Sequence, residues 1–170
     1  MGLKKIFNRW MKDYFIFSLI IAALVIISAM IITHVVTYKP QRYSAIGLLN
    51  ENHEAGPFPS NMSYNETLTV YFQVGNHEGE SQRYKVNMYI GDQNTTIDPD
   101  TGVNAPVNKT FQRIVEHGEI WEENVVVTFD ITNIGMKKII FELWIYDLSL
   151  STPHFIFMQQ TVHIWIEIST

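Results

Sequence analysis

Two kinds of side chain in this 170-residue sequence have the chemistry for metal binding or acid–base catalysis, its histidines and its clustered carboxylates. Imidazole beside carboxylate binds zinc, and His53-Glu54 and His77-Glu78 are such neighbours. Their spacing argues against a site. Adjacent residues on a strand point to opposite faces, and the six histidines form no His-x-His or His-x-x-x-His pair. Glu116, Glu119, Glu122 and Glu123 make the densest carboxylate cluster, which beside Gly118 reads as a solvated loop rather than an acid–base pair. There is no Gly-x-Ser-x-Gly, no glycine-rich phosphate loop and no cysteine nucleophile. The expectation is a chain without catalytic residues, metal or cofactor.

A third pattern concerns modification. Asn61-Met62-Ser63, Asn65-Glu66-Thr67, Asn94-Thr95-Thr96 and Asn108-Lys109-Thr110 are acceptor sequences for N-linked glycans, all in loops or at strand starts, where a bulky solvated group is accommodated. Asn, Ser and Thr are also ordinary turn residues, and that reading stands beside the first.

These residues need elements to carry them, and the first is a membrane anchor. Tyr14 to Val36 contains no Asp, Glu, Lys or Arg and follows Lys4, Lys5, Arg9 and Lys12. As a helix it measures on the order of 34 Å, against a bilayer core of about 30 Å. Trp10, Tyr14 and Tyr38 fall where aromatic rings favour the headgroup level, and His34 lies in the last turn. A cleaved signal peptide has a shorter apolar region ending in a small-x-small site; this run continues through Ile31, Ile32, Val35 and Val36. The basic flank predicts a cytoplasmic N-terminus (residues 1–13), an anchor (14–37), a stiff linker around Pro40 (38–42) and an extracellular remainder (43–170). From Thr37 onward the chain carries eight basic and sixteen acidic residues. That balance repels phosphate backbones and excludes nucleic-acid binding.

The outer segment has no cysteine, so its stability must come from a packed core. Strict alternation marks strands at Leu68 to Val74 and Tyr84 to Ile90, joined by the Gly75-Asn76-His77-Glu78-Gly79 turn. Further strands are expected at Tyr43 to Leu49, Phe111 to Val115, Val125 to Ile131, Ile139 to Tyr146 and Phe155 to Ile168, with Asp92 to Asn104 a loop. About seven strands and no helix after the membrane predict an all-β fold, an immunoglobulin-like antiparallel β-sandwich. If Ile139, Phe141, Leu143 and Ile145 face the core, Trp144 and Tyr146 face outward, and burying the aliphatic face of the last strand adds Trp165. Exposed Trp and Tyr favour binding surfaces; loops, glycans or the membrane surface covering that face is the alternative.

The stretch from Pro59 to Gly79, with its Pro-x-Asn lead, Thr-Leu-Thr-Val-Tyr-Phe strand and Gly-Asn-His-Glu-Gly turn, resembles the largely archaeal membrane proteins grouped as domain-of-unknown-function family 1616. Trp121 to Leu148 is similar to that family too, and Asn76, His77, Glu78 and Gly79 are the most specific residues of the resemblance. Family members often have several upstream membrane segments, whereas this sequence shows one. The resemblance implies an archaeal cell surface, where N-linked glycans are common, and brings no assigned activity. The combined expectation is a non-catalytic cell-envelope protein, an accessory subunit binding a protein or glycan partner. The alternative is a glycosylated structural component of the surface layer.

Overall fold

The structure is a computed structural model that describes residues 3–37 and 41–170. It divides into two compact units, Met1–Gln41 and Arg42–Thr170. The first contains one helix, α1 (Leu3–Thr37). Its stretch Tyr14–Thr33 is long and apolar enough to cross a membrane, as a membrane span or a signal sequence is. Polar hydroxyls within it are satisfied locally: Ser18 Oγ donates to Phe15 O and Thr33 Oγ1 to Ala29 O, each at 2.8 Å. Residues 38–40 of the expected linker, including Tyr38, lie outside the described residues, as do the side chains of Trp10 and His34.

The second unit is an antiparallel β-sandwich of immunoglobulin-like architecture. One sheet has three strands in the order β1 (Ser44–Leu49), β3 (Thr67–Asn76) and β8 (Ile120–Thr128). The other has five: β2 (Asn61–Ser63), β10 (His154–Ser169), β9 (Gly135–Asp147), β4 (Gln82–Gly91) and β7 (Lys109–Val115). Every pairing in these sheets is antiparallel except β2 with β10. A small hairpin, β5 (Ile97–Asp98) and β6 (Gly102–Val103), forms a two-stranded sheet of its own.

The period-two pattern accounts for the long strands. Leu68, Val70, Phe72 and Val74 are buried from one sheet, and Tyr84, Val86, Met88, Ile139, Phe141, Leu143, Ile166 and Ile168 from the other. Phe72 is central, with the rings of Trp121, Phe111 and Phe141 at 5.0, 5.1 and 5.7 Å. Three short strands depart from the sequence reading, because two or three residues are too few to show a period: β2, and β5 with β6 inside the expected 92–104 loop. At the other junction, β8 begins at Ile120, so Glu122 and Glu123 are strand residues and not a loop. It ends at Thr128, where Asp130 caps a 3-10 turn, Ile131–Asn133.

The core makes a direct prediction. Replacing Phe72 by Ala removes the ring at the meeting point of both sheets and lowers stability by about 3–5 kcal/mol, read as a shifted midpoint in urea denaturation of the detergent-solubilised chain. A shift below about 1 kcal/mol would mean that the sheets do not pack through this residue.

Candidate functional site

Every second residue of β4 and β9 points away from the core, and together these form the outer face of the five-stranded sheet. Along β9 they are Lys138, Ile140, Glu142, Trp144 and Tyr146, paired with Gly91, Tyr89, Asn87, Lys85 and, beside Tyr84–Ile145, Arg83. Glu142 is fully buried despite facing outward. The β5–β6 hairpin lies over it. Val103 N donates to Oε1 at 2.9 Å, while Tyr89 Oη and Trp144 Nε1 donate to Oε2 at 2.5 and 2.7 Å. A buried carboxylate is tolerated only with such partners. Gly102 has φ +84°, and a Cβ there would collide with the carboxylate, so the hairpin's approach requires glycine. Burial, reinforced by the carboxylate, pushes the Tyr89 phenol well above its ordinary value of 10.0. Burial also lowers the Lys85 ammonium, an effect that Glu142 opposes.

Beyond the hairpin the face opens into a cluster of rings and cations. Lys85 Nζ sits 4.2 Å from the Trp144 ring centroid and 4.8 Å from that of Phe155, and the Arg83 guanidinium lies 5.4 Å from Tyr146. Trp144 packs on Phe157 at 5.6 Å and Tyr146 on Phe155 at 5.1 Å. The four rings are half-buried, leaving surface for contact. Trp165 is elsewhere. It pairs with Lys138 in register, its ring 4.8 Å from Lys138 Nζ and edge-on to His163. Six residues along β9, about 20 Å, separate that position from Trp144, with the buried Ile140 and Glu142 between. The three aromatic residues picked from sequence therefore occupy two places. Arg83, Lys85, Phe155 and Phe157 escaped that reading: alternation turns Lys85 outward, yet only strand pairing brings it to Trp144.

The Asn76-His77-Glu78-Gly79 turn is built as a knot. Asn76 is fully buried. Its Nδ2 donates to Glu80 O and Val115 O, both at 2.8 Å, and its Oδ1 accepts from Glu78 N at 2.9 Å. Glu78 accepts from Ser44 Oγ at 2.6 Å, and Ser44 Oγ also lies 2.8 Å from Tyr84 Oη. His77 stacks on Tyr43 at 4.6 Å, and Gly79 N donates to His117 Nδ1 at 3.0 Å. These contacts tie the start of β1 to the β3–β4 and β7–β8 turns. An open groove of about 630 Å³ adjoins the knot, with Ile145, Ile156 and Met158 among its apolar lining and Glu78, Glu80 and Asp147 among its polar lining.

The remaining candidates are spread out. Asn61, Asn65, Asn94 and Asn108 are all exposed, and all four lie at the end of the sandwich opposite the start of β1. His53 pairs with Glu122 at 3.0 Å and stacks on Tyr71, not with its neighbour Glu54. Among the described residues no three His, Asp or Glu side chains converge on a metal position.

Removing the buried carboxylate tests this arrangement. Glu142→Ala leaves three donors without their acceptor, the phenol of the buried Tyr89 among them, and destabilises the chain by about 3–5 kcal/mol, with Glu142→Gln costing less. Amide hydrogen exchange at Val103 rises sharply in the Ala variant. Unchanged stability and protection would show that the hairpin is held by other contacts.

No curated protein matches the sequence. The fold is similar to a CARDB domain from Pyrococcus furiosus, crystallised in complex with di-metal ions, at 13% identity and TM-score 0.49 over 75% of this chain and 89% of that one. It is also similar to part of a beta-glucosidase from Listeria innocua, at 11% identity and TM-score 0.44 over 76% of this chain and 17% of the enzyme. A third likeness is to Spo0M, a sporulation control protein from Bacillus subtilis, at 8% identity and TM-score 0.41 over 77% of this chain and 51% of that one. The model of the family described as Domain of unknown function (DUF1616) matches residues 37–167, nearly the whole sandwich, and the chain belongs to that family.

Proposed function

We propose that this chain is a single-pass membrane protein of the cell envelope, with its N-terminus in the cytoplasm and its sandwich outside, acting as a non-catalytic accessory subunit. Its partner, a protein or glycan, is engaged through the cluster of Trp144, Tyr146, Phe155 and Phe157 with Lys85 and Arg83. The apolar stretch Tyr14–Thr33 behind a basic flank supports the topology. One observation carries the interaction role: four half-buried rings and two cations share one outer face. Aromatic residues and Arg concentrate at the centres of interfaces, because they bring large contact area and a polar handle together.

Glycans at the four exposed asparagines fit this layout. They sit at the end away from Asp147 and His154, between which β9 and β10 are joined next to the ring cluster. The same four asparagines favour a second reading, a glycosylated structural component of the surface layer, in which a lattice replaces a discrete partner. An archaeal setting comes with either reading.

Photo-crosslinking in native membranes separates them. A benzophenone amino acid at Tyr146 is expected to give one or two discrete adducts, and the same group at Val126, exposed on the other sheet, none. Equal labelling at both positions, or a continuous ladder of multimers, would reject the accessory-subunit reading in favour of a lattice.

A further inference from the structure

Trp165 is 39% exposed, the most exposed of the tryptophans whose side chains are described, and it lies outside the ring cluster. The edge strand β2 begins two residues further along β10. That strand pairs in parallel with the end of β10, Asn61 opposite Glu167 and Met62 opposite Ile168, fixed by Glu167 N donating to Ser60 O at 2.8 Å. Met62 packs against the core beside the buried Ile166 and Ile168, so Asn61 shares the outer face with Trp165 and Glu167. Trp165 precedes Glu167 by two residues. One strand across and two residues along puts the Cα atoms of Trp165 and Asn61 about 8 Å apart. Lys138 approaches the indole from β9, the opposite side of β10, which leaves the β2 side for Asn61. No strand lies beyond β2, so a group on Asn61 has room to fold back over the sheet.

We propose that Asn61 carries an N-linked glycan whose first sugars lie on the indole of Trp165, making this residue a platform for the chain's own glycan and not part of the partner-binding face. The proposal rests on the extracytoplasmic reading above, since that is where the chain meets glycosylation. The chemistry is that of a pyranose face against an aromatic one: the carbon-bound hydrogens of the sugar carry partial positive charge and meet the negative face of the indole. Stacking removes apolar surface of both from water, and it orders a glycan that would otherwise swing freely.

A double-mutant cycle on the full chain tests it, using a host that attaches N-linked glycans to membrane proteins. Ser63→Ala destroys the acceptor sequence while leaving Asn61 in place. With Trp165 present it is expected to lower Tm by about 3 °C, and in a Trp165→Thr background by less than about 1 °C. Acrylamide quenching of tryptophan fluorescence gives a second readout that does not depend on stability: Ser63→Ala increases it with Trp165 and leaves it unchanged without. Glycopeptide mass spectrometry assigns occupancy. Asn61 occupied with equal effects of Ser63→Ala in both backgrounds would overturn the stacking. Asn61 empty while Asn65, Asn94 or Asn108 is occupied would overturn it and leave the glycosylated-surface reading standing. All four empty would overturn both.

Discussion

A carboxylate with no access to water organises the outer face of this sandwich. Glu142 sits in the middle of the central strand pair, and its two oxygens accept from three separate parts of the chain: Tyr89 on β4, Trp144 on its own strand, and the backbone of Val103 in the hairpin. Without all three, burial would cost several kcal/mol. The requirement brings the β5–β6 hairpin down onto the sheet and excludes a side chain at Gly102. Trp144 belongs to both regions, its indole nitrogen bound to the carboxylate and its ring beneath Lys85. Trp144 is thus anchored from below, its indole already fixed in one orientation.

The second polar tie lies at the end where β1 starts. A chain without cysteine has no covalent staple, and Asn76 performs a comparable service by hydrogen bonding. It joins the β3–β4 turn to Val115, while Glu78 accepts from Ser44, whose hydroxyl also meets the phenol of Tyr84. The turn that carries the family resemblance is accordingly a structural fastener in this chain. Within it His77 is stacked on Tyr43, and Glu78 accepts a hydrogen bond from Ser44.

Much of this was legible before the structure. The long strands announce themselves because one face is buried and the other wet, and Leu68 to Val74 alternates without a break. What stayed hidden depends on pairing between distant segments. Nothing local in Asn61–Ser63 says strand, since its partner is the end of β10 more than a hundred residues later. The polar run from Asp92 to Asn104 reads as a solvated loop, yet Val103 is held by Glu142. Outward-facing Ile140 and Glu142 look exposed by parity and are buried, Glu142 against the backbone of that same loop. Parity turned Trp144 and Tyr146 outward, but only register shows that Trp165 lies close to the start of β2, apart from them, and that Lys85 and Arg83 sit over the other rings.

The layout gives the domain two unlike ends: four exposed acceptor asparagines at one, and the ring cluster with its neighbouring groove toward the other. All of the functional reading presumes that the sandwich lies across the membrane from the basic N-terminus. Because the chain contains no cysteine, a single engineered one reports its location without interference. Thr152→Cys, in the exposed β9–β10 connection, should react with a membrane-impermeant maleimide on intact cells, and Lys5→Cys only after permeabilisation. The reverse pattern would place the sandwich in the cytoplasm and contradict the account.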